Sequence, residues 1–107
     1  MSEKILRRFQ REDEARWRAA VQQLGSSPDL RFFFRELAAR CGYGQPVYSG
    51  NALQTANAAG RQDLLNELIA AITEVDPAFW PGLLKEMNDD RRYRTDQLAQ
   101  SANDRGD

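Results

Sequence analysis

The hydrophobic positions of this chain recur at intervals of three and four residues, and no stretch shows the strict alternation that is typical of strands. This pattern predicts an all-α fold. We expect four helical segments, in a small bundle of three to four helices with a long third helix and extended terminal arms. The third segment is predicted over Ala52–Val75, and the fourth starts at either Pro77 or Pro81.

The first segment is predicted over Glu3–Leu24, ending before Gly25. Its hydrophobic side chains follow one helical stripe, which Asp13 interrupts: Phe9, Trp17, Val21 and Leu24. The surrounding positions are rich in both charges, so we favour a solvated helix that packs only at one end. The alternative is an arm that reaches a neighbouring subunit.

The second segment has the clearest boundaries. Ser27 is a good N-cap, Pro28 suits the first helical position, and Gly42 can end the helix in the left-handed conformation. An amphipathic stripe between them predicts the core-facing side: Leu30, Phe33, Phe34, Leu37, Ala38 and Cys41. Phe32 lies off that stripe, so it either packs against a second layer or is exposed and marks an interface.

A glycine-rich loop, residues 42–50, leads into the third helix through the turn Tyr48-Ser49-Gly50-Asn51, in which Ser49 or Asn51 can cap the helix. The first half of that helix carries small side chains, and Ala56 and Gly60 are spaced for the close approach of another backbone. Packing within the fold is the favoured use of this small face. A glycine inside a helix costs about 1 kcal/mol relative to alanine, so a compensating contact is expected.

The apolar pattern fades after Met87. We therefore predict one domain over residues 1–107, with a packed core at about 9–88 and a polar tail at 89–107. The tail is expected to be helical to about Ala102 and either mobile or ordered by a partner.

Composition narrows the chemistry. The chain has 107 residues, no histidine, one cysteine (Cys41) and a net charge of −1. The commonest acid–base group and metal ligand is therefore missing, and we expect no enzyme activity, no metal and no cofactor. No signal peptide or membrane anchor is expected. The basic residues Arg91, Arg92 and Arg94 form a candidate nucleic-acid contact, which neighbouring aspartates oppose, so nucleic acid is not the favoured partner.

Several short motifs in order resemble a small family of tailed-bacteriophage proteins typified in a podophage of Bordetella, over about residues 10–88. They are Asp29-Leu30-Arg31-Phe32-Phe33, Cys41-Gly42, Tyr48-Ser49-Gly50-Asn51, Gly60-Arg61 and Glu74-Val75-Asp76-Pro77. Two features depart from the family pattern: Ala59 replaces an acidic residue, and alanines replace bulkier aromatics in the first half of the third helix.

The resemblance implies a virion structural or morphogenesis protein without a known enzymatic role. We expect an internal head or portal-associated component, with ejection alongside the genome as one option. It would be made in the host cytoplasm and then enter the virion. Its expected partners are portal, internal or tail proteins and further copies of itself. The predicted protein interface comprises Phe32, Tyr48, Gly50, Asn51, Ala56, Gly60, Arg61 and Trp80. The alternative function is a packaging accessory or regulator that binds nucleic acid through residues 91–94.

Overall fold

A computed structural model describes residues 2–105. It contains four α-helices: α1 (Ser2–Ser26), α2 (Pro28–Arg40), α3 (Ala52–Val75) and α4 (Phe79–Arg105). The part of the chain that is described has no strand, and the all-α prediction is confirmed. The bounds of α3 are those read from the sequence. The end of the predicted tail, residues 106–107, lies outside the described residues.

Local capping fixes the starts of α2 and α3. The Ser27 hydroxyl accepts a hydrogen bond from the Leu30 amide at 3.3 Å. Asn51 Oδ1 accepts from the amides of Leu53 and Gln54, at 2.9 and 3.2 Å. These bonds satisfy backbone donors that have no partner inside the helix. At the end of α2, Gly42 has a φ of +81°, the left-handed geometry that its position predicted.

The first helix was predicted to end before Gly25, but it continues to Ser26. Gly25 does not end the helix; it allows another part of the chain to pack closely against α1. A Cβ at this position would lie 3.3 Å from Asp76 Oδ2 and 3.7 Å from the Phe79 ring. The absent side chain therefore lets the end of α1 pack against the connection between α3 and α4.

The fourth helix begins at Phe79, between the two predicted starts. Asp76 Oδ1 accepts a hydrogen bond from the Ala78 amide at 3.1 Å and shapes the turn before the helix. Pro81 then occupies the first turn of α4, where a backbone N–H needs no partner within the helix, so it does not break the helix. The helix continues to Arg105, three residues beyond the predicted end.

The core is small and lies where the four helices meet. Its buried side chains are Val21, Phe34, Ala38, Leu65, Ile72, Phe79 and Leu83. Phe34 is at its centre, with edge-to-face contacts to the rings of Phe79 and Trp80 at centroid distances of 5.5 and 6.0 Å. Phe9 and Trp17 remain exposed, so buried packing begins at Val21 and not at the predicted residue 9.

The molecule is elongated. Its radius of gyration is 19.6 Å and its principal extents are 79 × 39 × 17 Å. A compact domain of this length would have a radius of gyration of about 13 Å. Two projecting arms account for the difference: residues 2–20 of α1 and residues 91–104 of α4 are all exposed. The predicted terminal arms are therefore helices that extend beyond the core.

Candidate functional site

The outward side of α2 presents two neighbouring aromatic rings. Phe32 is 50% exposed and Phe33 is 65% exposed. The structure therefore places Phe32 at the surface, in agreement with the interface alternative, with the Arg35 guanidinium 5.7 Å from its ring centroid. A shallow groove runs along this side and is lined by α2 alone: Asp29, Phe32, Phe33, Glu36, Leu37 and Arg40.

The predicted core-facing stripe of α2 is wrong in part, because Leu30 and Phe33 are exposed. Phe34 and Ala38 of the predicted stripe are buried, and Arg31 and Arg35 share the side that faces the other helices in place of Leu30 and Phe33. This rotation of the helix lets two arginines reach acidic partners on α4. Sequence periodicity missed them because arginine normally indicates the solvent side of a helix.

Arg31 connects three helices. Its Nη1 donates a hydrogen bond to the Gly25 carbonyl at the end of α1, at 2.7 Å. Its Nε lies 3.0 Å from Glu86 Oε1 on α4, an ion-pair distance at an angle unsuited to a hydrogen bond. One turn further along α2, Arg35 Nη2 donates to Asp90 Oδ2 at 3.0 Å. Arg31 belongs to the aromatic motif of the phage resemblance, and its observed contacts connect α2 with α1 and α4.

Gln62 of α3 anchors the loop between α2 and α3, and no sequence pattern had indicated this residue. Gln62 Nε2 donates hydrogen bonds to the carbonyls of Gly42, at 2.7 Å, and Gln45, at 2.9 Å. The Tyr43 ring packs edge to face on Trp80 at 5.0 Å. One half of the loop is thereby fixed to α3 and the core, while Tyr48 is 82% exposed in the other half.

Trp80 is not the exposed interface residue that was predicted. It is partly buried and packs against the core between Phe34 and Tyr43. The reason is that its ring makes edge-to-face contacts with Phe34 of α2 and with Tyr43 of the loop. Its contribution is to the fold, and it leaves the candidate interface.

Gly50 and Asn51 have backbone roles that limit what they offer a partner. Gly50 has a φ of +82°, and Asn51 uses its side-chain oxygen to cap α3. Thr55 Oγ1 supports the same turn by accepting a hydrogen bond from the Ser49 amide at 3.2 Å. Both predicted residues shape the turn that presents Tyr48.

The small face of α3 is open. Ala56, Gly60 and Arg61 are exposed, and a Cβ at Gly60 would meet nothing within 4 Å. Packing within the fold, the favoured use of this face, is therefore wrong. The core-facing part of α3 begins later, since its buried residues are Leu65 and Ile72, both in the second half of the helix.

The basic cluster lies on the α4 arm. Arg91, Arg92 and Arg94 are exposed, and Arg94 Nη2 lies 3.5 Å from Asp90 Oδ2. Asp90 is therefore shared between Arg35 and Arg94, which reduces the positive field at this end of the cluster.

No cluster of acidic or thiol side chains within residues 2–105 could hold a metal ion. Over the same residues, none of the helices combines the length and apolar character that crossing a bilayer needs. Comparisons of the chain with protein-family models, with curated proteins and with solved structures found no match. The likeness to tailed-phage proteins therefore rests on the residue motifs alone.

Proposed function

We propose that this protein is a structural or morphogenesis component of a phage virion that acts by docking against other proteins. The observation that carries the docking role is the amount of surface that the fold leaves uncovered. The accessible area is 8726 Å². A compact monomer of 12.2 kDa would expose about 6,000 Å², which leaves an excess of roughly 2,700 Å².

The composition of that surface supports the same role. Large apolar side chains are exposed on every helix and on the loop, including Phe32, Phe33 and Tyr48. Scattered apolar residues are normal, but two adjacent aromatic rings beside an apolar groove are typical of a surface that another protein covers. We propose the outward side of α2, the loop tip at Tyr48 and the small face around Gly60 as the docking elements.

The phage setting comes from the ordered motifs, and a position inside the head or at the portal is the proposed location. Mass spectrometry of purified virions of the encoding phage tests it. We expect the full chain in the particles. Its absence from virions that contain every other structural protein would refute the virion role.

Paired variants test the docking elements. We expect Phe32→Ala combined with Tyr48→Ala to lower incorporation into virions, because each removes a ring from a proposed docking element. Both side chains lie outside the core, so the fold should be kept. The matched control is Tyr93→Ala, which removes an aromatic ring that is 64% exposed on the α4 arm. Equal incorporation of both proteins would assign the docking role to another surface.

A further inference from the structure

We propose that the α1 arm pairs in antiparallel orientation with the α1 arm of a second copy of this chain. The inference deepens the docking role proposed above, since it names the partner of one uncovered surface. It starts from the arm itself: residues 2–20 are helical, exposed throughout and, at 1.5 Å per residue, about 28 Å long.

The arm has a mainly apolar side that no other element of the fold covers, and Asp13 and Arg16 interrupt it. Ile5, Leu6, Phe9 and Trp17 are 46%, 58%, 48% and 41% exposed. Ser2 and Ala20, also exposed, mark the middle of this side at its two ends. They are separated by 18 positions, which correspond to five full turns of helix, so both point the same way. An isolated helix of this length is marginal in water, and a partner on the apolar side would stabilise it.

The charges along the arm favour a second copy of the chain as the partner and an antiparallel direction for the pair. Residues 3–11 contain four cations and one acid, whereas residues 12–14 are all acidic. Two arms in parallel would set the basic stretch of one copy beside the same stretch of the other, which is repulsive. Two antiparallel arms that overlap fully set residues 12–14 of one copy beside residues 8–10 of the other. The acidic stretch of each copy then lies close to Arg7 and Arg8 of the other, which favours this direction over the parallel one, while Lys4 lies beside Arg18.

The same register joins one pair of apolar side chains and sets Phe9 beside Asp13 and Leu6 beside Arg16. When Ser2 of one copy lies beside Ala20 of the other, Ile5 lies beside Trp17, and the two-fold axis repeats the contact. Arg8 Nε and Glu12 Oε1 lie 3.8 Å apart as an ion pair within one helix, and because both side chains are 63% exposed a second copy can reach them. A stable dimer needs about 800 Å² from each partner, and the arm is one part of the roughly 2,700 Å² of excess surface on the whole chain.

Sedimentation equilibrium of the purified full-length chain tests the pairing. We expect a dimer, and we expect Leu6→Glu combined with Phe9→Glu to raise its dissociation constant by about 100-fold or more, since carboxylates would enter the mainly apolar side of the arm. The matched control is Leu53→Glu combined with Leu98→Glu, two leucines that are each 71% exposed outside the arm. This control should dimerise as the natural chain does.

Cysteine crosslinking tests the direction. A Ser2→Cys chain is mixed with an Ala20→Cys chain, both also carrying Cys41→Ser, and far-UV circular dichroism checks that both are folded. Mild oxidation should give mainly the mixed disulfide between positions 2 and 20. Disulfides between two Ser2→Cys chains and between two Ala20→Cys chains would indicate a parallel pair and overturn the proposal.

The outcomes separate this inference from the virion role. A chain that stays monomeric at millimolar concentration would overturn the self-pairing, even if the protein is found in virions. If such a monomer lost incorporation on Leu6→Glu with Phe9→Glu, the arm would be assigned to another virion protein. Absence from virions would refute the virion role and leave a dimer seen in solution unaffected.

Discussion

The run of three phenylalanines in α2 gives a direct test of which face of that helix is packed. Phe33 and Phe34 are neighbours in the sequence, yet Phe33 is 65% exposed and Phe34 is 5% exposed. Replacing either with alanine makes the same change in composition and in helix propensity. Any difference between the two variants therefore reports on packing.

The expected loss at Phe34 can be worked from its contacts. Burying a phenylalanine contributes about 1.5–3 kcal/mol, and each edge-to-face aromatic pair adds about 0.5–1.5 kcal/mol. With the two pairs that Phe34 makes to Phe79 and Trp80, the sum is about 2.5–6 kcal/mol. This range brackets the ~3–5 kcal/mol that such core truncations cost, so we expect a loss of about 4 kcal/mol for Phe34→Ala.

At Phe33 only about a third of the side chain is buried, which is worth roughly 0.5–1 kcal/mol. The higher helix propensity of alanine offsets about half a kcal/mol of that, so Phe33→Ala should be nearly neutral. Urea unfolding followed by circular dichroism measures both free energies. All samples must have the same chain concentration, because self-association would add to the stability. A difference below about 1 kcal/mol between the variants would refute the packing of α2 described here.

Three further predictions follow from named contacts. Gln62→Ala should cost about 1–3 kcal/mol and raise amide hydrogen exchange in the loop, because two loop carbonyls lose their donor; unchanged exchange would contradict this anchor. Gly60→Ala should stabilise the chain by about 1 kcal/mol, because its surroundings are open. Gly42→Ala should destabilise it by about 1–2 kcal/mol, because alanine disfavours the positive φ of this position. Thermal melts that shifted in the same direction for both variants would contradict these expectations. A double-mutant cycle of Arg35→Ala and Asp90→Ala should show a coupling free energy of about 0.5–1 kcal/mol in urea unfolding. The value is modest because both side chains are partly exposed. Zero coupling would show that the ion pair does not stabilise the fold.

Sequence alone determined the helix boundaries that depend on neighbouring residues. The cap at Ser27, the cap at Asn51 and the left-handed Gly42 each involve a hydrogen bond or a backbone angle within a few positions. Such local signals act before any tertiary contact exists, so the bounds of α3 and the start of α2 could be predicted. The projection of the α4 arm could also be predicted, because few apolar side chains after Met87 are available to pack against a core.

Only the tertiary structure decided which side of each helix is buried. One residue turns a helix by about 100°, so Phe32, Phe33 and Phe34 point in three directions, and a broad apolar stripe does not select among them. The selection came from distant groups: Asp90 is 55 residues from Arg35, and it draws an arginine to the inner side of α2. Likewise Trp80 packs against Phe34 of α2, and no other element of the fold approaches Gly60. Packing partners that are far apart in sequence therefore determined which residues this protein leaves available for docking.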